Sequence, residues 1–364
     1  MKIKEITSYL ESLAPLSTQE SYDNSGLIVG SPEGTVTKVL ISLDCTEAII
    51  EEAVKLGAEL VIAHHPIIFK GLKSLTGRNY VERTVLSAIK NDVAIYAIHT
   101  NLDNYLHGVN AEICERIGLN DVKVLAPVQG ILTKMIVYVP VDYVDQIRSV
   151  AFAAGAGNIG NYSECSFAVQ GKGTFKPGDK SLPFAGEIGE RSEEEEVRLE
   201  FLVEQHLVSE VLNAVRDIHP YEEMAYEIYS MQNINQDLGA GMIGELDVSE
   251  EKMSFLHRIK EIFQAGSVRY TDSTNKQIKK VAVCGGAGSF LLKNAIAAGA
   301  DVFITGDFKY HEFFDAEERI VIADIGHYES EQFTSNRLRA LIQEKFPTFA
   351  VHLTAIKTNP INYL

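Results

Sequence analysis

The sequence predicts an α/β protein: two related βαβ-containing halves form one outer domain, interrupted by an inserted ferredoxin-like α+β domain. Three observations carry this expectation. A βαβ pattern occurs twice, once towards each end of the chain. A middle segment of different character separates the two copies. The chain has 364 residues, enough for two or three domains and a sizeable core.

The repeat is the strongest signal. Residues 38–65, KVLISLDCTEAIIEEAVKLGAELVIAHH, align without a gap on residues 280–307, KVAVCGGAGSFLLKNAIAAGADVFITGD. Each copy reads as strand, turn, helix, glycine, strand, which makes the two strands parallel. The helices carry apolar residues at helical spacing: Ile49, Ile50, Ala53 and Val54 in one, Leu291, Leu292, Ala295 and Ile296 in the other. The likeness continues more weakly, with Val93–Ile98 matching Ile320–Ile325 as a buried strand in each half. The outer domain is therefore assigned to residues 1–126 and 245–364.

The insert is assigned to residues 127–244. It reads as a strand over Thr133–Pro140, a helix over Val144–Ala154, a strand over Val197–Val203, a helix over Leu207–Asp217 and a strand over Ala225–Tyr229. That order suits a ferredoxin-like fold. The acidic run Glu193–Glu196 is expected to be a solvated loop.

Composition limits the function classes. Hydrophobic residues make up 46% and charged residues 23%, the balance of an ordinary globular protein. The formal net charge of −17 argues against a general nucleic-acid binder, which needs a basic face. No segment approaches the roughly 20 apolar residues that cross a bilayer. The opening MKIKEITSYLESLAPLS spaces Ile3, Ile6, Leu10 and Leu13 as a helix does and does not read as a signal peptide. Cys45, Cys114, Cys165 and Cys284 are far apart and form no CxxC, so neither a disulfide framework nor a structural zinc site is expected. A soluble, cytoplasmic protein without membrane or nucleic-acid partners follows as the expectation.

The residues that point to chemistry lie at strand ends, where open α/β sheets bind their ligands. His64 and His65 follow the apolar run Leu60–Ala63. Adjacent side chains of an extended chain point to opposite faces, so the pair either sits in a loop or serves two ions. His99 and Asp103 follow the next apolar strand, and His327 and Glu331 follow its counterpart in the second half. Spaced by four, His327 and Glu331 share a face of a helical turn. Taken singly, each is a common surface residue. Their convergence from three strand ends raises the metal reading. Three histidines and two carboxylates are too few for two closed tetrahedral sites, but suit two open sites that share a bridging carboxylate. Zinc, iron, manganese and cobalt all accept such ligands.

Other motifs carry two readings. Cys284–Ser289 follows a strand and opens a helix, as a phosphate-binding turn does, but lacks a P-loop lysine; a tight turn near the metal site is the alternative. Asp307 and His311 read either as supports for the metal ligands or as a helix cap and an exposed histidine. Asp23-Asn24-Ser25-Gly26 reads as a turn, and His219 either as a structural helix end or as a ligand.

The set YDNSGLIVG (22–30), HHP (64–66), HTNLD (99–103), TGDFKYH (305–311) and GHYESE (326–331) resembles the Nif-three-like dinuclear metal protein family over nearly the whole chain. Its bacterial members carry the name GTP cyclohydrolase I type 2 homologue. GAGNIGNYSECSF (155–167), GKGTF (171–175) and HPYEEMAYEIY (219–229) resemble the PII-like and CutA-like insert of the longer members. The resemblance implies two divalent metal ions per chain held by His64, His65, Asp103, His327 and Glu331. It places His99 beside them as a supporting or acid–base group, and it implies a homohexamer. Tyr22 stands where family members often carry tryptophan.

Two functions are consistent with these residues. The first is a metal-dependent hydrolase of a nucleotide or small phosphoester, with His99 as the catalytic proton-transfer group. The second is a regulatory or metal-handling protein without turnover, suggested by the sensor-like insert.

Overall fold

The computed structural model describes residues 1–364. Fifteen strands run along the chain: β1 (Gly26–Val29), β2 (Lys38–Ser42), β3 (Leu60–Ala63), β4 (Ala94–Ala97), β5 (Asn120–Gln129), β6 (Leu132–Pro140), β7 (Ser166–Phe175), β8 (Ser192–Glu204), β9 (Tyr226–Ser230), β10 (Ile234–Glu251), β11 (Arg269–Tyr270), β12 (Gln277–Ala287), β13 (Val302–Gly306), β14 (Val321–Asp324) and β15 (Ala350–Leu353). They form three sheets, two mixed and one antiparallel. Contacts divide the chain into two compact units, Met1–Ala126 with Asp237–Leu364, and Pro127–Gln236. No helix is long and apolar enough to cross a membrane.

The first unit holds two sheets, in the orders β1-β4-β3-β2-β15 and β11-β14-β13-β12-β10-β5. In the first, β2, β3 and β4 are mutually parallel and β1 caps β4 antiparallel. In the second, β12, β13 and β14 are parallel and β11 caps β14 antiparallel. Strands buried on both faces need apolar residues at every position, and β3 (LVIA), β4 (AIYA) and β14 (VIAD) are buried throughout. Alternation then divides them between layers. Leu60 and Ile62 face a core shared with Val281, Val302 and Ile304 of the other sheet. Val61 and Ala63 face the helices Glu47–Leu56 and Tyr80–Lys90 through Ile49, Ile50 and Val85. Full burial of each such side chain contributes roughly 1.5–3 kcal/mol before entropy is counted.

In the second unit the order of elements is β6, helix Val144–Ala153, β7, β8, helix Val208–Ile218, β9. Its sheet has the order β7-β8-β6-β9. Met135, Val137, Leu199 and Phe201 cover one face and pack on Ile147, Ala151, Val211 and Val215 of the helices.

Two expectations are corrected. The second unit ends at Gln236, not at Gly244: Ile234–Glu251 is one continuous strand, and its Met242–Glu251 portion pairs with β12 within the first unit. Glu193–Glu196 is not a loop but the start of β8, in register with Gly171–Thr174 of β7. The run tolerates this because Lys172 pairs with Glu193 at 2.6 Å and the remaining carboxylates stay in contact with solvent.

Candidate metal centre

The apolar strands end where the polar side chains begin, and this places the site. Ala63 ends β3, and His64 and His65 follow; Ala97 ends β4, and His99 follows two residues later. A short helix over Thr100–Asp103 carries Asp103. In the other sheet β14 ends at Asp324, and the short helix His327–Glu331 puts both of its terminal residues on one face, with His327 Nε2 at 3.1 Å from Glu331 Oε2.

Four imidazoles share one arrangement. Nδ1 of each is tied to an acceptor at 2.8 Å: the Ile98 carbonyl for His64, Asp44 for His65, Asp23 for His99 and Asp307 for His327. The carbonyl can only accept, so His64 Nδ1 carries the proton and Nε2 presents a lone pair. His65 and His327 aim Nε2 at Glu331 Oε2, and the two nitrogens are 3.3 Å apart. His64 Nε2 lies 3.6 Å from Asp103 Oδ1 and 3.8 Å from Glu331 Oε1. The two oxygens of Glu331 thus face different clusters, one with His64 and Asp103, the other with His65 and His327. Around Glu331, the adjacent His64 and His65 thus fall on different oxygens, from the bend that follows β3.

Three groups have ligand atoms that all lie within 4.8 Å of one another: His65, His327 and Glu331; His64, Asp103 and Glu331; His64, His65 and His99. His64 Nε2 and Asp103 Oδ1 are buried and have no hydrogen-bond partner. Leaving a buried polar atom unpaired costs about 1–3 kcal/mol. A cation between these atoms removes that cost, and imidazole with carboxylate is a donor set that divalent transition metals accept. The residues fit the group.

The electrostatics match. Burial pushes the His64 pKa down, keeping its ring neutral. Burial opposes charge on His65 too, but Asp44 and Glu331 outweigh it and raise its pKa to about 9. His327 reaches about 11, since Glu331 and Asp307 overcome its burial. Asp103 is driven well above the usual carboxylate range by burial and by Glu331. Glu331 resists its own burial because His327, His64 and His65 surround it, and its pKa falls well below that range.

Beside the cluster opens a cavity of about 780 Å³, lined by His65, His99 and His327 together with Phe69, Lys70 and Tyr80. Tyr22 stacks on Phe69 at 6.4 Å with 21° between the rings.

The structure brings together His64, His65, His99, Asp103, His327 and Glu331, with Asp307 behind His327. It does not bring His311 to them. His311 is exposed in the turn Tyr310–Ala316, edge-on to Tyr310, because the capping interaction of Lys309 with Glu312 starts that turn outside the cluster. The glycine-rich turn is also reassigned. The amides of Gly285, Gly286 and Gly288 are spent on Asn110, Ser330 and Thr305, so none is free for a phosphate. Gly286, at φ +64°, makes room instead: a Cβ there would lie 2.3 Å from Glu331 Oε1.

Sequence reasoning missed Asp23 and Asp44. Asp23 ends no strand and reads as a turn former, and it does bond the Asn24 amide at 2.7 Å. Its second role has no signal in the sequence: it holds His99 from 76 residues away in the chain.

The Duf34/NIF3 (NGG1p interacting factor 3) family matches residues 1–360. The chain belongs to this family. It is 38% identical to the GTP cyclohydrolase 1 type 2 homolog of Halalkalibacterium halodurans over 99% of this chain and 98% of that one. It is 35% identical to the protein of the same name in Bacillus subtilis, again over 99% and 98%. Among solved structures, the Bacillus cereus protein related to NIF3 superposes with a TM-score of 0.86 at 36% identity, covering 100% of this chain and 99% of that one. Reduced HcgD from Methanocaldococcus jannaschii shares the fold, with a TM-score of 0.58 at 19% identity over 98% of each chain.

Proposed function

We propose that this Duf34/NIF3 member is a dinuclear-metal hydrolase acting on a nucleotide or a small phosphoester. The observation that carries the reading is Glu331, whose Oε1 faces His64 and whose Oε2 faces His65 and His327. His64 and Asp103 would hold one divalent ion and His65 and His327 the other, with Glu331 shared. Such ions supply Lewis acidity and lower the pKa of water at the site.

The chain's own residues supply the rest. Asp23 keeps the His99 Nδ1 proton in place, which leaves Nε2 to take a proton from water and to return one to a leaving group. Asp23 then faces the imidazolium, the arrangement that stabilises it. Asp44 and Asp307 hold His65 and His327 in orientation. The Phe69–Tyr22 stack offers a planar face for a base, and Lys70 on the same cavity offers a cation for a phosphate. The name GTP cyclohydrolase 1 type 2 homolog, borne by its relatives, agrees with a guanine nucleotide as the first substrate to try.

The same reading takes the first unit as two halves of a duplicated βαβ design with the second unit inserted between them. The shared strand order, β4-β3-β2 against β14-β13-β12, supports it. It also takes the chain to self-assemble as a homohexamer, which light scattering of the metal-loaded protein tests.

The deciding experiment reconstitutes the protein with zinc, iron or manganese and incubates it with GTP and simple phosphoesters, beside the His64→Ala/Glu331→Ala double variant. Metal-dependent product above the variant's background supports the hydrolase. Two bound metals with no product from any substrate would favour the metal-handling reading instead.

A further inference from the structure

The second unit contains a cavity of about 350 Å³ that has no part in the metal centre. Its wall is Phe175, Phe184 and Tyr221, and its polar groups are Glu196, Glu222 and Glu223 against Lys176 alone. Phe184 and Tyr221 pack on one another as a tilted pair, with ring centroids 5.8 Å apart and 50° between their planes, and both line the cavity. Tyr143 backs Phe184 edge-on at 5.9 Å, which holds that ring in place.

Two of the carboxylates, Glu196 and Glu222, are held by hydrogen bonds. Tyr221 donates its hydroxyl to Glu196 Oε1 at 2.9 Å. Glu196 lies across Gly173, where a Cβ would fall 2.1 Å from Oε2, so the position holds its carboxylate only while it lacks a side chain. Burial and Glu196 raise the Tyr221 pKa, so the phenol keeps its proton and remains the donor at neutral pH. Glu222 Oε1 accepts from the Leu182 amide at 2.9 Å and so ties down the loop that carries Phe184. Neither Glu196 nor Glu222 forms an ion pair, so their charge faces the cavity uncompensated apart from Lys176.

Such a cavity favours a particular ligand. Ring faces attract a cation within about 6 Å of their centroids, and more strongly when it is desolvated. Unlike the clusters of the first unit, the three carboxylates do not gather their oxygens around a single point. A small metal ion is therefore a poor match, whereas an ammonium group spread over several rings is a good one.

We propose that this cavity is a binding site for an organic ammonium group, seated against the rings of Phe184 and Tyr221 where they line it, with Glu196 as its counter-ion. The site lies wholly within the second unit and does not depend on the metal centre or on hydrolysis.

The test is calorimetric titration of the full chain with choline and with 3,3-dimethylbutan-1-ol, its neutral counterpart of the same shape. Choline should bind saturably, and the neutral molecule about ten-fold more weakly or worse. Phe184→Leu, which keeps an apolar side chain but removes the ring face, should weaken choline about five-fold or more. Glu196→Gln should weaken choline and leave the neutral molecule unchanged. Gly173→Ala should reproduce Glu196→Gln by displacing the carboxylate. Phe184 is 53% exposed, so its variant should fold, and circular dichroism checks this. Equal binding of the two molecules would reduce the cavity to an apolar slot and overturn the proposal. So would no saturable binding of choline, or binding lost in His64→Ala but kept in Glu196→Gln.

Discussion

His99 Nδ1 lies 2.8 Å from Asp23 Oδ1, and the other oxygen of the same carboxylate accepts from both the amide and the hydroxyl of Thr100. Burial works against charge on Asp23, yet these bonds hold its pKa well below the ordinary carboxylate range. A buried carboxylate placed on one nitrogen of a histidine sets which nitrogen faces the cavity. Asp23→Asn should therefore reverse that preference, since its amide can donate where the carboxylate only accepts. The expected outcome is a fall in turnover of about a hundred-fold with metal content unchanged. Elemental analysis beside the rate assay separates this from simple loss of metal.

The division of Glu331 between two clusters predicts unequal effects of removing carboxylates. Wild-type protein should bind two metals per chain after reconstitution. Asp103→Ala should bind about one, because only the His64 cluster loses a ligand. Glu331→Ala should bind fewer than one, because both clusters do. Equal stoichiometry in the two variants would argue against a shared carboxylate.

Metal binding should release protons. The pKa of His65 is raised to about 9 and that of His327 to about 11, so both rings carry a proton at neutral pH in the metal-free protein. A ligating nitrogen must be free of its proton, so each proton competes with metal. The sign follows: affinity should rise with pH from 6 through about 9, where His65 loses its proton, towards about 11, where His327 does, and fall on acidification. Calorimetry in two buffers of different ionisation heat gives the number of protons released. A value of zero at pH 7 would contradict the arrangement of His65 and His327 around Glu331.

Gly286 should be intolerant of a side chain for two separable reasons. Its φ of +64° disfavours any L residue, and its Cβ would lie 2.3 Å from Glu331 Oε1. Gly286→Ala should cost about 1–2 kcal/mol of stability, read by thermal unfolding, and should lower metal content as well. Gly118→Ala is the control. It shares a positive φ of 80° but has nothing within 4 Å, so it should lose stability without losing metal.

Much of this protein is legible in its sequence because the relevant signals are local. Leu60–Ala63, Ala94–Ala97 and Val321–Asp324 are apolar at nearly every position, which marks them as strands covered on both faces. A polar residue after such a run lies at a strand end, so His64, His65, His99 and His327 could be placed at sheet edges from order alone. The four-residue spacing of His327 and Glu331 likewise placed them on one helical face. The family motifs are short and contiguous, and they are readable for the same reason.

What only the tertiary structure decided are relations between residues far apart in the chain. Nothing near Asp23 indicates that it holds His99, nor near Asp44 that it holds His65, because hydrogen bonds across a fold leave no periodic trace in sequence. His311 shows the converse: of its two readings, support for the metal ligands or an exposed histidine, the turn begun by Lys309 and Glu312 selects the second and leaves it in solvent. The glycines at 285–288 followed the pattern of a phosphate turn, while the packed structure spends their amides on side chains from other elements and gives their space to Glu331. Local pattern determined which residues stand at the strand ends. Only packing two sheets around one core decided which of them meet, because side-chain direction and distance are set by how the layers are stacked.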